Sequence, residues 1–405
     1  VHHVLPSMYF RRLPPRSDFC RRIVYYSSIS VQFEGRRIMK KIALFLLLVL
    51  IPLACVTPPS GGETEDWPEL VSAVTVAGAE NLRVVTINVW AGLDYKGSLK
   101  MGEYQDKDTR ALRTRNLVEQ LKELDPDVIA VNEANKLPRY ARSLSRELDY
   151  DQIYHVGLGG LRIGSIGLPV NLREGDVILA KKSMQLQSSG RKQLSGGPVG
   201  NCFTFHFADA TQIIGGRILA AGRQVYVFNT HWHASPFPKE EYLRQLVERR
   251  DSGRIDEQRY EELLEESVEG QKWRLGEARK TIAFIDKVAS NHPVILMGDF
   301  NAAADSEEIG VLKASGFRDA FAEAGDPPGY TWDGSENSNI QLQKQVFPED
   351  FWLEPTQRRI DYVFFRGPGL EILASKVVLD RPLQGIYSSD HFGVMAEFEV
   401  QPSSP

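Results

Sequence analysis

Cysteine is nearly absent from this 405-residue chain: Cys20, Cys55 and Cys202 are the whole complement. Three scattered cysteines supply neither a disulfide framework nor a thiolate zinc site. A basic surplus is lacking too. With 48 Lys+Arg against 53 Asp+Glu the net charge is −5, which argues against a protein that grips nucleic acid mainly through its overall field. Long apolar runs are just as scarce, and only Ile42 to Val56 (IALFLLLVLIPLACV) qualifies. It has fifteen residues, interrupted by Pro52, and falls short of the ~20 that a membrane-spanning helix needs. What is left, 42% hydrophobic and 10% aromatic residues, is a globular composition and excludes a disordered or collagenous chain.

The apolar run follows Met39, Lys40 and Lys41 and closes at Leu53-Ala54-Cys55. A charged start, a short apolar stretch and a small residue before the cleavage point predict an export signal over 39–55. Its Cys-terminated end resembles a bacterial lipoprotein signal. That resemblance implies a lipidated Cys55 as the mature N-terminus, and either a cell-envelope lipoprotein or a secreted protein. Residues 1–38 carry scattered Arg without periodicity and are expected to be an untranslated or disordered upstream extension. Residues 56–81, rich in Pro, Gly, Ser and Glu, read as a tether. Loss of 1–54 removes nine basic and two acidic residues and leaves 39 against 51, a net −12. An anionic substrate would then need metal ions or a local basic patch.

From 82 to 401 β-rich runs alternate with helical ones. The strands are read at 82–89, 127–133, 175–180, 224–231, 293–299, 359–365 and 394–400, with helices at Thr109–Leu124 and Gly276–Ala289. Such alternation over some 320 residues predicts one large α/β domain. A charge-dense stretch at 239–272, with apolar residues at helical spacing and a DSGR turn, predicts an inserted helical hairpin. A solvated surface hairpin is the plainer reading of it, and a partner-binding device the sharper one.

Acidic, amide and imidazole residues recur at the ends of these strands: Asn88, Glu133, His231 and His233, Asp299 and Asn301, and Asp390-His391 ahead of the last. Singly, each has a dull explanation in turn preference. Together they form a hard-donor inventory that suits Mg²⁺ or Mn²⁺. Such an ion stabilises charge on a reacting phosphate, and a His paired with an Asp can position or deprotonate water.

The motifs TINVW (86–90), VNEA (131–134), NTHW (229–232), GDFNA (298–302), RRIDYVF (358–364) and SSDH (388–391) resemble, in order and spacing, those of the endonuclease/exonuclease/phosphatase superfamily. The resemblance covers about residues 82–400. It implies a four-layer α/β sandwich of the deoxyribonuclease I-like kind, with two β-sheets packed face to face and helices outside. It further implies a metal site at Asn88, Glu133 and Asp390, and catalytic roles for Asp299, Asn301, His391, His231 and Asp361. In that scheme Asp361 partners His391, His231 contacts a phosphate oxygen, and either Asp299 or His391 takes the proton. GDVILAKKSM (175–184) departs from the family's pattern; Lys181 or Lys182 would stand in for an Arg, with Asn171 and Arg173 as further cleft candidates.

Beside the scissile group, Trp90 and Trp232 adjoin Asn88 and His231, and Asn337 sits in the long loop before RIDY with Trp332 and Trp352. Trp90, Trp232 and Asn337 are the substrate-binding candidates, although packing is the default role of each tryptophan. The expected protein is therefore an exported, monomeric, divalent-metal-dependent hydrolase of a phosphodiester or phosphomonoester. Nucleic acid, a lipid headgroup and a small phosphate ester stay open as substrates, nucleic acid as substrate only. The alternative is a non-catalytic surface module on the same fold.

Overall fold

The computed structural model describes residues 79–97, 99–163, 166–195, 211–345 and 356–402. The expected upstream extension, export signal and lipidated Cys55, most of the tether, and Trp352 lie outside the described residues.

Strand β1 (Glu80–Asn88) leads through α1 (Lys107–Leu124) to β2 (Val128–Ala134), and through α2 (Arg139–Leu148) to the long pair β3 (Tyr150–Ile163) and β4 (Ile166–Lys181). Next come β5 (Gln187–Gln193), β6 (Gln212–Ala220) and β7 (Arg223–His231), then α3 (Glu240–Asp251) and α4 (Glu257–Ala289). The chain continues through β8 (Val294–Asp299), α5 (Glu307–Ala314), β9 (Arg318–Asp319), α6 (Ala320–Ala324) and β10 (Trp332–Asp333). It ends with α7 (Ser338–Lys344), β11 (Gln357–Arg358), β12 (Asp361–Arg366), β13 (Leu370–Val378) and β14 (Gly393–Val400). β1 begins two residues inside the expected tether, where Glu80 and Asn81 pair with Val400 and Glu399.

Two six-stranded sheets result, ordered β13-β14-β1-β2-β4-β3 and β5-β6-β7-β8-β12-β9. The central strands are apolar on both faces because both faces are covered. On β1, Leu82 and Val84 face inward with Val128, Ile178, Val227, Ile295 and Val363, the layer between the sheets. Their neighbours Val85 and Ile87 face outward onto Leu117 and Leu121 of α1. On β8, Leu296 packs outward against Ile285 of α4 and Leu312 of α5. Helix, sheet, sheet and helix thus form four layers. Each fully buried Val, Leu or Ile contributes ~1.5–3 kcal/mol before chain entropy is counted. α1, α4 and α5 start on side-chain caps: Asp106 accepts from Thr109 N, Asp256 from Arg259 N and Ser306 from Ile309 N.

The inserted hairpin differs from its sequence reading. α3 ends at Asp251, but α4 does not stop near 272; it runs 33 residues to Ala289. One buried stripe, Leu263, Ser267, Gly270, Arg274, Ala278, Thr281 and Ile285, continues without a break. That three-to-four spacing holds the helix through Gly270 and Gly276 despite their unfavourable propensity.

β1 and β2 run parallel, as do β7 and β8, with Asn88 opposite Asn132 and His231 opposite Asp299. β12 is antiparallel to β8, placing Asp361 opposite Asp299. β14 is antiparallel to β1, which brings the segment before Gly393 to the end of β1. All the polar strand ends therefore meet at one rim.

Candidate active site

Two backbone irregularities aim the acids. The β2–β4 register slips between Val131 and Ala134, a bulge at Asn132-Glu133, and Glu133 takes φ 53°, a left-handed conformation rare for a glutamate. Gly298 has φ 136°, and a Cβ there would lie 1.9 Å from Thr230 O. Only glycine lets β8 approach β7 closely enough to set Asp299 beside His231.

Asn88 bridges the two sheets. Its Nδ2 donates to Glu133 Oε1 at 2.9 Å and to Asp299 Oδ2 at 3.0 Å, while its Oδ1 accepts from Trp90 N. Glu133 Oε2 accepts from Ala91 N at 3.0 Å. Asp299 Oδ2 lies 3.6 Å from His231 Nε2 and 3.8 Å from His391 Nε2, and His391 Nδ1 is 2.8 Å from Asp361 Oδ2. Thr331 Oγ1 accepts from the Asp361 amide at 3.2 Å. Asp390 joins through Ser389, whose hydroxyl donates to Asn88 O at 2.6 Å, and its Oδ2 accepts from Gln343 Nε2 at 2.7 Å. Asn301 N donates to Asp299 Oδ1 at 2.8 Å, while the Asn301 carboxamide is turned to Trp232 O at 3.0 Å. Asp299, Asp361 and His391 form a buried trio whose ligand-type atoms lie within 4.8 Å of one another.

The charges are unbalanced. Burial pushes the Asp299 carboxyl up, and Asp361 beside it pushes the same way, against His391 and His231. Burial also raises Asp390, against the pull of His391, and the Glu133 carboxylate adds to the rise. Burial disfavours the imidazolium of His391, but Asp361 and Asp299 outweigh it and hold the ring charged well above its ordinary range. His231 is likewise opposed by burial yet carried up to about 9, chiefly by Asp299 and Glu133.

The fold thus brings Asn88, Glu133, Asp299, Asn301, Asp361, Asp390, His231 and His391 to one place. Other expectations are corrected. Trp232 is 0% exposed; its ring packs against Phe300 in the outer layer and its Nε1 donates to Thr281. It points away from the cleft because successive residues along a strand face opposite sides. Asn337 is also 0% exposed, capping α7 and donating to Ser389 O; its side chain is taken up in supporting the SSDH segment. Trp90 keeps 6% of its surface exposed, with Arg113 over its ring at 4.6 Å and Tyr104 at 5.4 Å. His233 turns its ring onto Trp273.

Lys181 pairs with Asp125 and Asp127, and Lys182 with Asp149. Both sit at the opposite rim, because β4 runs antiparallel to β2 and its middle, around Gly175, not its end, reaches Glu133. Asn171 clamps the 92–104 loop through the Met101 amide and carbonyl. The middle of β4 instead delivers Glu174 and Asp176 to a pocket of about 180 Å³ shared with Tyr95, Glu133 and His231.

Several contributors escaped the sequence reading. Arg113 Nη2 donates to Val89 O and Trp90 O at 2.9 and 2.8 Å, fixing the turn that presents Ala91 N to Glu133. Asn132, just ahead of Glu133, ties Asp299 N to Asp176 and Asn229; its place inside VNEA was the signal. Gln343 lies on a short loop helix with no pattern to mark it.

The two sheets and outer helices are a deoxyribonuclease I-like α/β sandwich. A solved endonuclease/exonuclease/phosphatase family protein from Bacteroides thetaiotaomicron matches with TM-score 0.52 and 15% identity over 80% of this chain and 99% of that one. Its counterpart from Bacteroides vulgatus matches with TM-score 0.51 and 15% identity, over 80% and 100%. D. rerio TDP2 complexed with a single-strand DNA product matches with TM-score 0.50 and 19% identity, over 78% and 98%. At these identities the likeness is one of fold. No curated protein matches. The model of the Endonuclease/Exonuclease/phosphatase family matches residues 277–391, which hold GDFNA, RIDY and SSDH. The chain therefore shares the fold of these proteins, and its residues 277–391 match the model of that family.

Proposed function

We propose that the protein is an exported, divalent-metal-dependent phosphoesterase that hydrolyses a phosphodiester. One observation carries this reading: carboxylates from both sheets converge with two histidines at a single rim, bridged by Asn88.

The donor set fits a hard divalent cation. Glu133, Asp390 and Asn88 offer oxygens, and a positive ion would offset the burial and, after it, the Glu133 repulsion that raise Asp390. Bound there, Mg²⁺ or Mn²⁺ would neutralise charge on the phosphate oxygens. The chain's own groups do the rest. His391, held protonated by Asp361, donates from Nε2 to a phosphate oxygen. His231 donates to a second one, and Asp299 between them orients water and accepts its proton. A water oxygen–phosphorus bond forms as the ester oxygen leaves.

The charged start, apolar stretch and terminal Cys of 39–55 support export. The test of function is a hydrolysis panel with Mg²⁺ or Mn²⁺ over bis-p-nitrophenyl phosphate, DNA, RNA, sphingomyelin and inositol phosphates. Metal-dependent turnover of a diester supports the reading; a folded, metal-binding protein that turns over none of these would instead be a non-catalytic binding module.

A further inference from the structure

A cavity of about 600 Å³ opens where the inserted hairpin meets the loops after β7 and β8, walled by Phe237, Pro238, Arg274, Ala303, Ser306 and Glu308. It is separate from the pocket that holds Glu133 and His231. Its volume falls in the range of small-molecule sites.

The charge on its walls is lopsided in a specific way. Every cation is committed: Lys239 to Asp305 at 2.5 Å, Arg244 to Glu241 at 2.6 Å and to Glu248, and Arg274 Nε to Glu308 Oε1 at 2.9 Å. Glu240 and Glu307 at the mouth have no basic partner among the described residues, and occupy the first turns of α3 and α5. They already neutralise the positive ends of those helices, which therefore do not call for an anion. Deeper in, Glu308 is 1% exposed and its Oε2 has no hydrogen-bond partner. A buried carboxylate oxygen left unpaired is costly and asks for a donor. These carboxylates do not converge as a metal site would, since among the described residues only Asp299, Asp361 and His391 group that closely. The Phe237 ring and Ala303 add apolar wall.

We propose that this cavity binds an aliphatic amine in its protonated form, with an ammonium group on Glu308 Oε2, the carbon chain along Phe237 and Ala303, and outer charge met by Glu240 and Glu307. The site is independent of the hydrolytic reading.

The test is calorimetry on the full chain, saturated with Mg²⁺ so that the active-site carboxylates are occupied, using cadaverine as probe. Pentane-1,5-diol and glutarate, of equal length, are the neutral and anionic controls. Saturable one-to-one binding of cadaverine alone is expected. It should weaken by about tenfold or more in Ala303→Phe, which fills the cavity, and in Glu240→Gln/Glu307→Gln, which leaves the Arg274 pair intact. Glu308→Gln should also weaken it wherever that variant folds. Absence of binding up to about 10 mM, equal binding of the diol or of glutarate, or binding indifferent to the first two variants would each overturn the proposal.

Discussion

Replacing Asp361 by asparagine removes one charge and almost no volume from the centre of the site. Asp361 is fully buried, its backbone amide is held by Thr331 Oγ1, and its Oδ2 lies 2.8 Å from His391 Nδ1. Against burial, it is the leading influence that keeps His391 charged. The asparagine side chain can still occupy the space, but the charge-assisted bond becomes neutral and the imidazolium loses its main counter-ion. A positioned acid or base contributes roughly 10²–10⁴ in rate, or about 2.7–5.4 kcal/mol of barrier, and kcat should fall within that span. Stability should change little, because Asp361 also repels Asp299 and its neutralisation relieves that strain. Mg²⁺ affinity should hold, since Asp361 is not among the proposed metal ligands. The assay is kcat on a diester substrate, normalised to folded protein, beside Mg²⁺ calorimetry and an NMR titration of His391, whose pKa should drop. Wild-type turnover in folded Asp361→Asn would refute the dyad.

Arg113→Met leaves two buried carbonyls unpaired and frees the Trp90 turn. Mg²⁺ affinity should fall about 10–100-fold, as for other supports of ligand geometry, and unchanged affinity in calorimetry would dismiss the role. Trp232→Ala should cost ~3–5 kcal/mol in denaturant unfolding while the folded fraction keeps its KM; a raised KM at unchanged stability would restore Trp232 to the cleft. His231, at about 9 in the fold against ~6.5 unfolded, stabilises the metal-free protein fully below pH 6.5. That contribution, on the order of 3 kcal/mol, is lost as pH rises from 6.5 to 9. The melting temperature in EDTA should fall over that window, less so in Asp299→Asn, which lacks the chief raising charge; a flat profile would contradict the electrostatics.

Sequence reading succeeded where a physical constraint acts locally. VVTI, VIAV and VILM are apolar throughout because both faces of β1, β2 and β8 are covered, and such runs are legible. It failed on β5, whose QSSGRKQ is a half-exposed strand with no alternation, and on β3 and β6, for which no strand was read. The unbroken α4 was hidden by Gly270 and Gly276, whose local preference the buried stripe overrides. Adjacency misled on Trp232, because a residue next to His231 in sequence faces the other side of the sheet. Asn337, Arg113 and Gln343 act through contacts with Ser389 O, Val89 O and Asp390. Partners so distant in the chain or in unpatterned loops are set by topology alone.

In the proposed function, hydrolysis of a phosphate ester depends on a divalent ion held by Glu133. The direct measurement is the rate of bis-p-nitrophenyl phosphate hydrolysis against Mg²⁺ concentration, for wild type and Glu133→Ala. Wild type should saturate with metal and stop in EDTA. Glu133→Ala should lose several kcal/mol of transition-state stabilisation, at least about a hundredfold in rate, at every Mg²⁺ concentration tested. Hydrolysis that persists in EDTA, or a Glu133→Ala protein as fast as wild type, would contradict it.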